Sequence, residues 1–179
     1  MTRIGVLALQ GGFHAHLSVL RSLGHEAVEV RSAIDLAGVE GLVLPGGEST
    51  AQLSLLSPGL RAALDRLRSA GAPVLATCAG AVVAVELGWL DAQLRRNAYG
   101  SQLHSSEGLA DDGTPIIMIR APRFESLGPA VEVITSSGGE PVLVRSGALL
   151  AATFHPELAD DLRVHKLAFG APRRAFRSE

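Results

Sequence analysis

Short apolar runs of strand length, several cut off by glycine-bearing turns and alternating with helix-spaced segments, fill the first half of the chain. Ile4-Gly5-Val6-Leu7-Ala8-Leu9 ends in Gln10-Gly11-Gly12, and Phe13, Leu17 and Leu20 then recur at helical spacing before Gly24. Glu26 to Val30 predicts a second strand. Gly41-Leu42-Val43-Leu44 predicts a third, closed by Pro45-Gly46-Gly47-Glu48-Ser49-Thr50. Leu60, Ala63, Leu64 and Leu67 mark a helix face with Gly71 behind it, and Val74 to Thr77 is the next strand. Such alternation leaves little choice. Right-handed βαβ crossovers build a parallel sheet whose apolar strands must be covered on both faces.

The pattern changes after Trp89. Ile116 to Ile119, Val131 to Thr135, Val142 to Val144 and Leu149 to Phe154 are strand-like runs with no long helix between them. Gly138-Gly139 and Ser146-Gly147 are hairpin breaks, so the second half adds antiparallel strands before a last helix around Leu162 to Phe169. The expectation is an α/β protein with a mostly parallel central sheet and a single domain over residues 1–179.

At 179 residues the chain can bury an ordinary core, with 47% hydrophobic residues and a formal charge of −2. That balance argues against a nucleic-acid surface and against disorder, and the tail Arg173-Arg174-Ala175-Phe176-Arg177 reads as a solvated end. One cysteine allows no internal disulfide and no cysteine-based zinc site. The apolar run at Ile4 to Leu9 is too short for a signal peptide, and no run is long enough to cross a bilayer. A cytoplasmic protein is the expectation, with no membrane, nucleic acid, metal or cofactor called for.

In open α/β sheets chemistry collects at the carboxyl ends of the strands. The lone Cys78 falls there, between the strand Val74 to Thr77 and the small residues Ala79-Gly80 that open a helix. A tight turn would present its sulfur at the sheet end, beside the positive end of a helix, a setting that favours a thiolate. The plainer reading is a small buried hydrophobe, as most free cysteines are.

A cysteine nucleophile needs a base, and the base needs an orienting group. His155 follows a late strand, and Glu157 stands two residues on, across Pro156. That short link lets a carboxylate hold one imidazole nitrogen while the other faces a thiol. Spacing alone does not bring the pair to Cys78. Read singly, His155 is a strand-end histidine and Glu157 a solvated acid.

Gly46-Gly47 can turn backbone N–H groups toward an anion, and with the Ala79 N–H would form an oxyanion hole. Read singly it is an ordinary tight turn. His14 and His16 are two apart on a helix, face different ways and make a poor metal pair. Arg95-Arg96 and Arg120 are either a carboxylate clamp or surface charges. Neither GxGxxG nor GxxxxGK[ST] occurs.

Several segments together resemble a known family. They are Leu7-Ala8-Leu9-Gln10-Gly11, Leu44-Pro45-Gly46-Gly47-Glu48-Ser49-Thr50 and Thr77-Cys78-Ala79-Gly80, then Arg96-Asn97-Ala98-Tyr99-Gly100, Ile119-Arg120-Ala121-Pro122 and Phe154-His155-Pro156-Glu157-Leu158. Their order is similar to that in the glutaminase subunit of pyridoxal 5′-phosphate synthase, a class I (triad) glutamine amidotransferase, from Ile4 to about Phe169.

The resemblance implies a three-layer, flavodoxin-like fold. It implies that Cys78 attacks the side-chain amide of L-glutamine, with His155 moving the proton and Glu157 orienting it, through a γ-glutamyl thioester. Gly46, Gly47, Glu48, Ser49, Arg96, Ile119 and Arg120 would bind glutamine, and the Gly47 and Ala79 N–H groups would hold the oxyanion. It also implies a (β/α)₈-barrel synthase partner that receives the ammonia and builds pyridoxal 5′-phosphate from ribose 5-phosphate and glyceraldehyde 3-phosphate, with Gln10 near the contact.

The chain departs from the family pattern in places. Ala76 replaces a usual glycine, the Val85 to Arg95 segment is shorter, and Gln102-Leu103-His104-Ser105-Ser106 replaces Gly-Arg-Gln…Ser-Phe-Glu. Two other readings compete: a stand-alone triad hydrolase of γ-glutamyl or peptide bonds, and a non-catalytic regulatory module of the same fold. Intact Cys78, His155 and Glu157 weigh against the second, and the segments after Pro45 and around Arg96 weigh against the first.

Overall fold

The computed structural model describes residues 1–98 and 106–170. Tyr99, Gly100, Gln102 to Ser105 and the Arg173 to Arg177 tail, singled out in the sequence, lie outside the described residues. In chain order the elements are β1 (Arg3–Leu7), α1 (Phe13–Ser22), β2 (Glu26–Val30), a 3₁₀ turn (Ala33–Leu36), β3 (Gly41–Leu44), α2 (Ser49–Leu55), α3 (Pro58–Ser69), β4 (Val74–Thr77) and α4 (Ala79–Glu86). There follow β5 (Ala92–Arg95), β6 (Ser106–Leu109), β7 (Pro115–Met118), β8 (Arg123–Leu127), β9 (Glu132–Ser137), β10 (Glu140–Ser146), β11 (Leu149–Ala152) and α5 (Arg163–Phe169).

The central sheet has seven strands in the order β2-β1-β3-β4-β11-β10-β9. The β2, β1, β3, β4 and β11 neighbours pair in parallel, and β10 pairs antiparallel with both β11 and β9. The antiparallel turns fall at Gly138-Gly139 and Gly147, as the hairpin breaks predict. Residues alternate between two cores along the strands. Leu42, Leu44, Val74 and Ala76 face Leu60 and Leu64 of α3 and Val83 of α4, whereas Val43, Leu75 and Leu150 face Leu17 and Leu20 of α1 and Val164 of α5. The result is three layers.

The sequence reading misses α2 and the strands β5, β6 and β8. Gly46-Gly47 and Pro45 mark the end of β3, but a helix begins only two residues later. Its anchor is polar: the buried Gln52 side chain donates to the Gln10 and Pro45 carbonyls at 2.9 and 3.1 Å. The missed strands form two-stranded ribbons, β5 with β8 and β6 with β7. β6 is exposed throughout and β5 on alternate residues, so neither carries an apolar run to read.

Candidate active site

Cys78 sits where β4 ends and α4 begins. Its backbone N–H donates to the Ala152 carbonyl of β11 at 2.8 Å, which fixes the turn to the neighbouring strand. The turn is sharp, with Cys78 at φ 49° and ψ −111°. A residue other than glycine held there costs on the order of 1–3 kcal/mol. Gly80 makes the turn possible, because any Cβ at that position would collide with the Leu44 carbonyl of β3. α4 therefore starts hard against the sheet, and Cys78 is buried except for 5% of its surface.

β11 lies directly beside β4, with Ala152 paired to Thr77. The chain leaving β11 thus enters the same space as Cys78 and carries His155 and Glu157 into it. The His155 backbone N–H donates to the Ile117 carbonyl at 2.9 Å. Its Nδ1 lies 2.7 Å from Glu157 Oε1, and its ring faces the same cavity as the Cys78 side chain. Cys78 Sγ further approaches the Ile119 carbonyl at 3.8 Å.

Burial works against a charge on His155, but the hydrogen bonds to Cys78 and Glu157 and the carboxylate's charge outweigh it, and the imidazole pKa is raised to about 10. Glu157 is balanced the other way. Its burial raises the pKa, yet the His155 hydrogen bond and the neighbouring His16 and His155 rings hold it below the ordinary value. The N-terminal turn of α1 is close by: a Cβ on Gly12 would lie 3.7 Å from Glu157 Oε1. An ionised carboxylate, an imidazolium and a sulfur gathered at one strand end are equipped for nucleophilic attack followed by proton donation.

The loops after β1 and β3 close the site from the other side, joined by the Gly12 N–H to the Gly46 carbonyl at 2.9 Å. Gly46 packs under His155 and Cys78: a Cβ there would come 2.5 Å from His155 Cε1 and 3.4 Å from Cys78 Cβ. Gly47, at φ 152°, bends the loop away, and the next N–H, of Glu48, donates to Gln10 Oε1 at 2.7 Å.

These walls enclose a cavity of about 420 Å³, within the range of small-molecule sites. Gln10, Gly47, Glu48, Ser49, Cys78, Ala79, Arg96, Ile119, Arg120 and His155 line it, all singled out in the sequence. Gly46 and Glu157 support the lining from behind. Arg96 donates to Thr50 Oγ1 at 3.0 Å, and Arg120 stands 3.6 Å from the Glu48 carboxylate. Arg95 is not among the lining residues. It pairs with Glu125 at 3.5 Å.

The sequence reading misses Val82, Asn97 and Pro122 in the lining. Among the described residues, Cys78, Asn97 and Arg120 are the non-glycine positions at positive φ, and all three line the cavity. Strain concentrates where the backbone must aim groups at a ligand. Also missed is the part played by His16, which is buried and faces Glu157. Its signal lay in the helix stripe, where Phe13, His16, Leu17 and Leu20 share one face. His14 is exposed on another face, and among the described residues no cluster of three or more His, Cys, Asp or Glu could hold a metal ion.

The model of the SNO glutamine amidotransferase family matches residues 6–170. A protein of Koribacter versatilis (strain Ellin345) described as pyridoxal 5′-phosphate synthase subunit PdxT is 46% identical, covering 92% of this chain and 93% of its own. A protein of the same description from Mycobacteroides abscessus is 45% identical, covering 92% and 94%. A solved structure described as a glutamine amidotransferase superimposes with a TM-score of 0.84 at 41% identity, covering 92% of this chain and 96% of its own.

Proposed function

The chain belongs to the SNO glutamine amidotransferase family, and from that membership we propose that Cys78, His155 and Glu157 carry out its glutamine hydrolysis. The chain is the glutaminase subunit of a pyridoxal 5′-phosphate synthase and works with a synthase partner. One observation supports the residue roles above all others: the β4–β11 pairing sets Cys78 against a His155 whose far nitrogen is 2.7 Å from Glu157.

L-Glutamine lies in the cavity with its side-chain amide at Cys78. Arg96 and Arg120 face its charged end together with Glu48, Ser49 and the Ile119 backbone, and Gly46 shapes the floor. Cys78 sulfur attacks the amide carbon, and the carbonyl oxygen becomes an oxyanion held by the Gly47 and Ala79 N–H groups. His155 gives its proton to the amide nitrogen, the C–N bond breaks, and ammonia leaves behind a γ-glutamyl thioester. His155, now neutral, takes a proton from water as the hydroxide adds to the thioester carbon. The C–S bond then breaks, releasing glutamate and restoring the thiolate and imidazolium.

The ammonia passes to a (β/α)₈-barrel synthase subunit, with Gln10 at the contact, and the chain acts as one domain in the cytoplasm. Among the described residues no helix is long and apolar enough to cross a membrane. The test is glutamate release by the chain mixed with its synthase, which Cys78→Ala should abolish. Full activity in that variant would overturn the assignment. Glutamine-dependent cofactor formation should also resist an external ammonia trap.

A further inference from the structure

Behind the triad, two histidines that line no part of the cavity are sealed in the core. His16 of α1 and His165 of α5 are both 0% exposed, as is Thr77 at the end of β4. His16 Nδ1 lies 2.9 Å from His165 Nε2, and His16 Nε2 lies 3.1 Å from Thr77 Oγ1 and 3.3 Å from Glu157 Oε2. That second carboxylate oxygen is buried without any aligned hydrogen bond, whereas Oε1 is held by His155.

The arrangement selects one tautomer. If His16 carried its proton on Nδ1, its Nε2 lone pair would face a carboxylate, and His165 would bury an Nδ1–H with no acceptor. With the proton on Nε2, His165 Nε2–H donates to His16 Nδ1, and the His16 N–H donates to the Thr77 hydroxyl with Glu157 Oε2 3.3 Å from the same nitrogen. Burial disfavours charge on both rings, holding His16 low and His165 down to about 3, with Glu157 the opposing influence on each. A neutral donor can serve Oε2 without placing a second cation beside the His155 imidazolium.

We propose that His16 is a positioning residue for the triad: its Nε2–H, oriented by His165, restrains the Glu157 carboxylate so that Oε1 stays on His155 Nδ1. The proposal rests on Glu157 orienting His155 and adds two residues from two further helices to the machinery.

The test compares His16→Leu, which deletes the donor, with His16→Gln, whose amide N–H restores one. In the synthase mixture His16→Leu should lower kcat about 10- to 100-fold, with KM for glutamine within about twofold. The His155 ring titration, followed by NMR on the full chain, should move down by about one unit. His16→Gln should recover most of both. Wild-type kcat and an unmoved His155 midpoint in His16→Leu would overturn the proposal, and so would equal losses in both variants with the midpoint unmoved. Should His16→Leu fail to fold, His165→Leu carries the test, because losing the bond that fixes the tautomer must lower kcat and the midpoint together; an unmoved midpoint overturns the idea. Glu157→Gln separates the two readings: full activity there sinks the triad assignment itself, whereas its inactivity beside an active His16→Leu sinks only the role of His16.

Discussion

His155 Nδ1 and Glu157 Oε1 lie 2.7 Å apart, with one proline between the residues in sequence. The pair is therefore made within a single turn of chain, and only its placement against Cys78 depends on the sheet. Replacing Glu157 by Gln keeps the shape and removes the charge that supports the imidazolium. Glutamine hydrolysis should fall by about 10²- to 10⁴-fold in kcat, as for other triads that lose their orienting acid. Glutamate release in the synthase mixture measures it.

His155, influenced by Cys78 and then by Glu157, sets a pH dependence of stability. The His155 pKa is raised to about 10 in the folded protein and returns to about 6.5 on unfolding. The folded form binds the proton more tightly, so this contribution is fully present below pH 6.5 and is lost as pH rises through 10. Thermal unfolding followed between pH 7 and 10 should show wild type losing stability more steeply than His155→Gln.

The buried His165 acts at the opposite end of the scale. Its pKa is lowered to about 3 by burial and by His16, so the unfolded chain takes up a proton first as pH falls. Stability present above about pH 6.5 should decline toward pH 3. In denaturant titrations across that window, His165→Leu should show a flatter dependence on pH than wild type, whatever its stability at neutral pH.

Gly46 offers a steric test that spares the charges. A methyl group there would meet His155 Cε1 at 2.5 Å, so the imidazole must shift from its place. A displacement near 1 Å costs roughly 10²-fold in rate. Gly46→Ala should lose about that much kcat while its circular dichroism spectrum matches wild type.

The strained turn can be weighed by comparing two variants of Cys78. Cys78 is held at φ 49°, a conformation open to glycine and costly for alanine. Cys78→Gly should be more stable than Cys78→Ala by about 1 kcal/mol or more in denaturant titration. The reverse order would mean that the turn relaxes once the sulfur is gone.

The parts of this architecture that were legible in the sequence are those whose signal is local. β1, β3 and β4 are continuous apolar runs because both faces of the sheet are covered, and Gly46-Gly47 and Cys78 announce themselves as strand-end turns. Family segments then joined Cys78 to His155 and Glu157. The ribbon strands β5, β6 and β8 escaped notice because solvent covers much of them and no period survives. His16 escaped for another reason. On an apolar helix stripe a histidine reads as ordinary core, and its meaning appears only when α5 brings His165 and the chain after β11 brings Glu157 to the same point.

The pairing of β4 with β3 on one side and β11 on the other has a consequence for how this site can fail. Cys78, His155 and Gly46 hang from three adjacent strands, whose separation is the 4.7–4.9 Å spacing common to all sheets. Inactivation by heat should therefore follow loss of the sheet itself and arrive as one cooperative event, so that residual activity and backbone order disappear on the same curve.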